Sequence, residues 1–264
     1  MSAASGTLAR EGRVVLALGR RSLTIQFRKA QLLMPTFILP LMLLAVIASG
    51  TSAAQGLRGF PDVASYVAFI VPGTIIQGTI LAGLTAGIAL ASDIEFGFFD
   101  RLLAAPVNRV SLVLGRLAAT IGLALLQSTF FLLVAMPFGA RYSGGVDGAI
   151  LAIAIAAITA AGIGGIAAAI ALRTGSLSLL QSLFPFMFVL LFTAPAFFPR
   201  ELLNPILRDV AAYNPLTYVV EAVRGLLSGT SVGDPLTGFA AATGLALVTT
   251  GLAVLALRER LRTQ

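Results

Sequence analysis

The chain alternates between long uncharged apolar runs and short charged segments. Six runs carry no Asp, Glu, Lys or Arg: Leu32–Gly50, Tyr66–Ala91, Leu117–Phe138, Ala149–Leu172, Leu179–Phe198 and Leu236–Leu257. A bilayer core of about 30 Å needs about 20 residues of helix at 1.5 Å rise, so each run is long enough to cross. The runs are continuously apolar rather than alternating, which argues against membrane strands. The pattern predicts an all-α integral membrane protein: six transmembrane helices forming one domain over residues 1–264.

The polar segments between the runs carry the functional signal. Over residues 8–30, Arg10, Arg13, Arg20, Arg21 and Arg28 fall within an arc of roughly 100° at helical spacing, while Val15, Leu16 and Leu23 lie away from it. This predicts an amphipathic helix able to lie in the membrane interface. It serves either as a basic anchor for the first span or as a lever touching a partner, and the two roles are compatible.

Residues 92–116 form the second polar segment, wedged between the second and third runs. Asp93 and Glu95 suit the start of a short helix, where acidic groups complement the helix dipole. Phe98, Phe99, Leu102 and Leu103 then supply apolar side chains, while Asp100 and Arg101 point elsewhere. Pro106 ends the segment and Asn108 can cap a following helix. The expectation is an amphipathic knob with two adjacent aromatics, suited to a groove on a partner. The alternative is a loop whose Phe residues rest among lipid head groups.

The third segment, residues 199–234, contains Asn204-Pro205 and Asn214-Pro215, each an N-cap residue followed by Pro at the first helical position. Val219, Val220, Val223, Leu226 and Leu227 recur at helical spacing, with Glu221 and Arg224 on the other side. Helices this short predict a re-entrant dip, as a structural plug or with Tyr218 or Glu221 touching a substrate. Within the spans, Gly83-x-x-x-Gly87 and Gly162, Gly164 and Gly165 suit close helix packing. Pro185 and Pro195 predict kinks near Phe184, Phe186, Phe188 and Phe192, which face lipid or line an apolar route.

Composition adds orientation and removes whole classes of chemistry. The chain is 58% hydrophobic and 11% charged, with a mean hydropathy of +0.96, far too apolar for a soluble domain. Thirteen Lys and Arg residues fall on the side of the termini and the 92–116 segment, against five on the other. The positive-inside rule then puts both termini and that segment in the cytoplasm. The net charge of +7 follows this asymmetry, so it suits anionic lipid and not nucleic acid. Cys and His are absent, so no disulfide, zinc site, haem attachment or Cys–His or Ser–His nucleophile pair can be built. The first apolar run lies behind a basic segment without a small-residue cleavage site, as expected of a retained span. No ionisable group lies inside the six runs, where a proton-driven transporter usually keeps one. No Gly-x-x-x-x-Gly-Lys-[Ser/Thr] loop is present either. Energy for any active transport is expected from a separate polypeptide.

The run Glu95-x-Gly97-Phe98-Phe99-Asp100-Arg101-Leu102-Leu103-Ala104-Ala105-Pro106-Val107-x-Arg109, closing at Leu114-Gly115-Arg116, resembles the membrane subunit of type-2 ABC exporters. It is most similar to the daunorubicin-resistance permease branch. The resemblance implies that residues 92–116 hold the coupling helix that docks on an ATP-binding-cassette ATPase. Its contacts would be Glu95, Phe98, Phe99, Asp100, Arg101, Leu102, Leu103, Pro106 and Arg109. Many relatives have Gly-Thr where this chain has Gly97-Phe98, a departure that fits the drug-exporter branch. Re-entrant helices near Pro199, Asn214, Pro215, Tyr218 and Glu221 would line the outer end of the route. ATP and Mg would sit on the ATPase, with no cofactor, metal or catalytic residue on this chain. Two copies would form a homodimer in a bacterial cytoplasmic membrane and export a small amphipathic or hydrophobic compound such as a drug. Export of a lipid-linked saccharide or envelope precursor, or a non-transporting anchor or immunity module, are the alternatives.

Overall fold

A computed structural model describes residues 2–28, 30–51, 65–104, 108–229 and 233–262. Among them the long elements are all α-helical. In chain order these are α1 (Ser2–Arg28), α2 (Ala30–Thr51), α3 (Tyr66–Glu95), α4 (Phe98–Leu103), α5 (Arg109–Ala135) and α6 (Gly145–Thr174). They continue as α7 (Leu177–Ser182), α8 (Phe184–Phe192), α9 (Pro205–Tyr213), α10 (Pro215–Ser228) and α11 (Pro235–Arg262). Pro106, Lys29 and Arg58 lie outside the described residues.

Small residues decide which helices touch. A Cβ on Gly83 would come within 2.7 Å of the Gly164 nitrogen, and one on Gly87 would strike the Ala167 side chain. On the other face of α6, Gly162 meets Leu245, and a Cβ on Gly165 would lie 2.5 Å from the Thr249 hydroxyl of α11. Helices α3, α6 and α11 therefore pack in one close row, as small faces permit in lipid. The centre of the bundle is α3: 94% of its most apolar stretch is buried, against 28% for α11.

Four helical stretches are long and apolar enough to cross a membrane alone: Tyr66–Glu95, Arg109–Phe138, Gly145–Thr174 and Pro235–Arg262. The pair α1–α2, bent by 72°, brings the number to five if counted together. The chain is thus a multi-pass membrane protein. The expected fifth span, Leu179–Phe198, is not one helix. It divides at Leu183 into α7 and α8, and α8 ends at Phe192. Pro185 explains the break, because its ring removes an N–H and crowds the carbonyl four residues earlier. The stretch after Thr193 turns instead of continuing, with Ala196 N–H donating to the Ala194 carbonyl at 2.7 Å.

Helix α1 packs along α5. Leu18 fills the space above Gly115, and Leu23 sits 2.9 Å from a Cβ built on Gly122. Arg10, Arg13, Arg20, Arg21 and Arg28 are all exposed, as the arginine arc predicts.

Candidate docking site at the α3–α5 junction

The junction begins where α3 stops. Phe96 N–H closes on the Ser92 carbonyl at 3.0 Å and Gly97 N–H on Ile94 at 3.1 Å. Gly97 then takes the left-handed φ of 69°, with nothing near the position of an added Cβ. Only glycine takes that conformation at little cost, so the residue serves the turn and not close packing. The reversal launches the six-residue α4. Asn108 caps α5 as expected, accepting from Val110 N–H at 3.0 Å. Its amide also donates to the Glu11 carboxylate at 3.0 Å, tying α1 to the junction.

Two further contacts fasten the segment. Asp93 on α3 pairs with Arg116 on α5 beneath α4. The Glu95 carboxylate accepts from Leu177 N–H at 3.2 Å, at the first turn of α7. An acidic group there satisfies an orphan donor and complements the dipole.

The apolar side chains of α4 do not project outward, which corrects the expected two-aromatic knob. Phe99 is only 2% exposed, and Leu102 and Leu103 pack against the same core cluster beside Leu84, Leu90 and Leu112. Phe98 is half-buried, its ring centroid 4.6 Å from the Arg21 guanidinium carbon. The reason is length: α4 has too few turns to spare an apolar face, and α3, α5 and α7 surround it. The aromatic that does project is Phe96, 77% exposed, which the sequence reading passed over. With Glu95, Asp100, Arg101 and Arg109, also exposed, it forms a charged outer surface around one apolar tip.

More charge gathers at this end. Arg173 at the close of α6 makes a two-pronged pair with Glu259 of α11, both bonds 3.0 Å. Arg260 donates to the Leu172 carbonyl at 3.2 Å. The C-terminal ends of α3, α6 and α11 and the start of α5 therefore share one end of the bundle.

The profile of the ABC-2 type transporter family matches residues 13–227. The chain belongs to that family. A protein from Porphyra purpurea named as a transport permease, ycf38, is 28% identical over 216 residues, 81% of this chain and 74% of its own. One of the same name from Cyanophora paradoxa is 30% identical over 172 residues, 63% and 58% of the two chains. A Mycobacterium tuberculosis protein named as a doxorubicin resistance ABC transporter permease, DrrC, is 23% identical over 169 residues, covering 64% and 61%. Membrane subunits of ABC-2 type transporters work with an ATPase subunit.

At the opposite end of this ABC-2 permease, both Asn-Pro starts form as expected. Asn204 caps α9, accepting from Leu207 N–H at 3.0 Å, and Asn214 caps α10, accepting from Leu216 N–H at 2.9 Å. The Asn214 amide also donates to the Leu190 carbonyl at 2.7 Å, so this residue clamps α10 to the end of α8. The Tyr218 hydroxyl donates to the Ala212 carbonyl at 2.8 Å, and Pro199 leads into a 3-10 turn at Arg200–Leu202.

The residue that organises this end is Arg224, expected on the polar side of α10 and found 3% exposed. It donates to the Phe69 carbonyl at 3.2 Å, to Pro195 at 2.7 Å and to Ala196 at 3.0 Å. Its guanidinium carbon stands 4.0 Å from the Phe69 ring centroid. Burial pulls its pKa down to about 10, so it remains a cation at neutral pH. Burial also raises the carboxyl of nearby Glu221, against the pull of Arg200 and Arg224. The turn after α8 leaves carbonyls no helix uses, and Arg supplies several donors in a planar fork.

Proposed function

We propose that this chain is the permease subunit of an ATP-driven exporter, whose separate ATPase docks on the surface of Glu95, Phe96, Asp100, Arg101 and Arg109. The observation that carries this reading is the build of the junction. A short helix is locked to α3, α5, α1 and α7, yet shows the medium a charged face with one exposed aromatic. Force applied to that face would reach α3 through Asp93–Arg116 and the α7–α8 segment through Glu95. Phe98, Phe99, Leu102 and Leu103 act as the inner seat of the coupling helix.

In this reading α2 and the broken α7–α8 complete six spans, and both termini lie in the cytoplasm of a bacterial cell. The chain binds no nucleotide; ATP and Mg belong to the ATPase. A second copy completes the route, consistent with the apolar stripe Met34, Ile38, Met42 and Val46 that α2 leaves exposed. The segment around Pro199, Asn214, Pro215, Tyr218 and Glu221 closes the outer end. The name of the mycobacterial relative supports a hydrophobic or amphipathic drug as cargo. The test is ATP turnover by the reconstituted complex in vesicles across a panel of amphipathic compounds. Stimulation with accumulation inside inverted vesicles is expected. Compound-independent turnover without transport would leave the anchor reading instead.

A further inference from the structure

Beside the coupling helix lies a cavity of about 400 Å³, lined by α1, α3, α4, α5 and α7. None of Glu95, Phe96, Asp100, Arg101 or Arg109 lines it, so it is distinct from the docking surface. Its size falls within the range of ligand sites. Leu18, Arg21, Ser22, Ile25 and Gln26 line it from α1, a stripe at the i, i+3, i+4 spacing of one helix face. Along α3 it runs from Thr85 to Asp93, about 12 Å at 1.5 Å per residue.

Its chemistry is specific. Arg21, Arg116 and Asp93 all contribute, two cations against one carboxylate. Asp93 is taken by Arg116, while among the described residues Arg21 pairs with no carboxylate and rests on the Phe98 ring. That leaves one positive charge over. Gln26, 6% exposed, has a buried Oε1 with no hydrogen-bond partner among the described residues. A buried acceptor left unsatisfied is costly, so Oε1 calls for an O–H or N–H from an occupant. The remaining wall is apolar, including Ile88, Leu102 and Leu112.

We infer that this cavity binds the phosphoglycerol headgroup of an anionic phospholipid. The free Arg21 guanidinium, with Arg116 behind it, holds the single phosphate charge by charge-assisted hydrogen bonds. A glycerol hydroxyl donates to Gln26 Oε1. Arg21 and Gln26 are five residues apart, a rise of about 7.5 Å that a phosphoglycerol group bridges. The cavity lies where apolar helices give way to charge, the level at which headgroups reside, and basic pockets between membrane helices recognise them. A lipid seated there fills the space under α4 and joins α1 to the coupling helix, so it steadies the seat on which an ATPase would push.

The test is native mass spectrometry of the full-length chain released from detergent with defined lipids. Phosphatidylglycerol is compared with phosphatidylethanol, which has the same charge but no hydroxyl, and with zwitterionic phosphatidylcholine. The wild type is expected to retain phosphatidylglycerol best. Arg21→Gln weakens both anionic lipids about tenfold, the loss of one charge-assisted bond. Gln26→Leu removes only the preference for phosphatidylglycerol over phosphatidylethanol. Arg20→Gln, exposed and outside the cavity, changes neither. Thermal unfolding provides a second readout: phosphatidylglycerol raises the wild-type midpoint, and in Gln26→Leu the rise falls to the one that phosphatidylethanol gives. Equal losses in Arg20→Gln and Arg21→Gln would reduce the effect to general surface charge and overturn the site. So would equal retention of the two anionic lipids by the wild type. Displacement by free glycerol phosphate would move the assignment from a lipid to a soluble ligand. ATPase association is measured separately, so failure of the lipid site and failure of the docking surface are distinguishable.

Discussion

Arg224 ties together three backbone carbonyls from two separate parts of the chain. One of these carbonyls, that of Phe69, belongs to α3, and the other two to the turn after α8. Arg224→Leu is expected to lower stability by about 3 kcal/mol, since the buried Pro195 and Ala196 carbonyls lose this donor together and the contact with Phe69 is lost. Arg224→Lys should recover only part, because an ammonium has neither the fork nor the flat face that stacks on Phe69. Thermal unfolding of the purified variants measures both. A loss under about 1 kcal/mol in Arg224→Leu would mean that the site is wetter than its geometry implies. The sequence showed Arg224 among polar positions of an amphipathic helix. It could not show that the helix turns its charged side toward Pro195 and Ala196, because those acceptors are close only in the folded chain.

At the scale of elements, the long helices were legible and the short ones less so. Uninterrupted apolar runs mark α3, α5, α6 and α11 because nothing but a helix satisfies the backbone in lipid. The kink expected at Pro185 is a full break between α7 and α8, which hydropathy alone cannot register. Asn108, Asn204 and Asn214 announced helix starts correctly, since capping is a local bond between neighbours in sequence. The orientation of α4 was not legible: with six residues, periodicity leaves open which face packs, so Phe99, expected to project, is buried, and Phe96, given no role, projects. Glu95 gives the clearest test at this scale. Glu95→Gln should loosen the first turn of α7, costing about 1 kcal/mol locally, visible as faster amide exchange over Leu177–Leu180. Unchanged exchange there would separate the coupling segment from α7.

For the whole molecule, orientation and drive are the two remaining properties. The absence of native Cys allows single-site labelling without further engineering. Arg109→Cys should resist a membrane-impermeant thiol reagent applied outside intact cells, whereas Asp209→Cys should react. The reverse pattern would invert the bundle and place the docking surface outside. The most direct test of the central claim is co-purification of the chain with the ATP-binding-cassette ATPase expressed beside it, comparing a Phe96→Ala, Arg101→Glu double variant with Phe99→Ala. The double variant, altered only on the exposed face, should retain the thermal midpoint of the wild type and lose the ATPase. Phe99→Ala should lose stability first, by about 3 kcal/mol as a buried Phe does. Full retention of the ATPase by the folded double variant would contradict the docking surface and the account built on it.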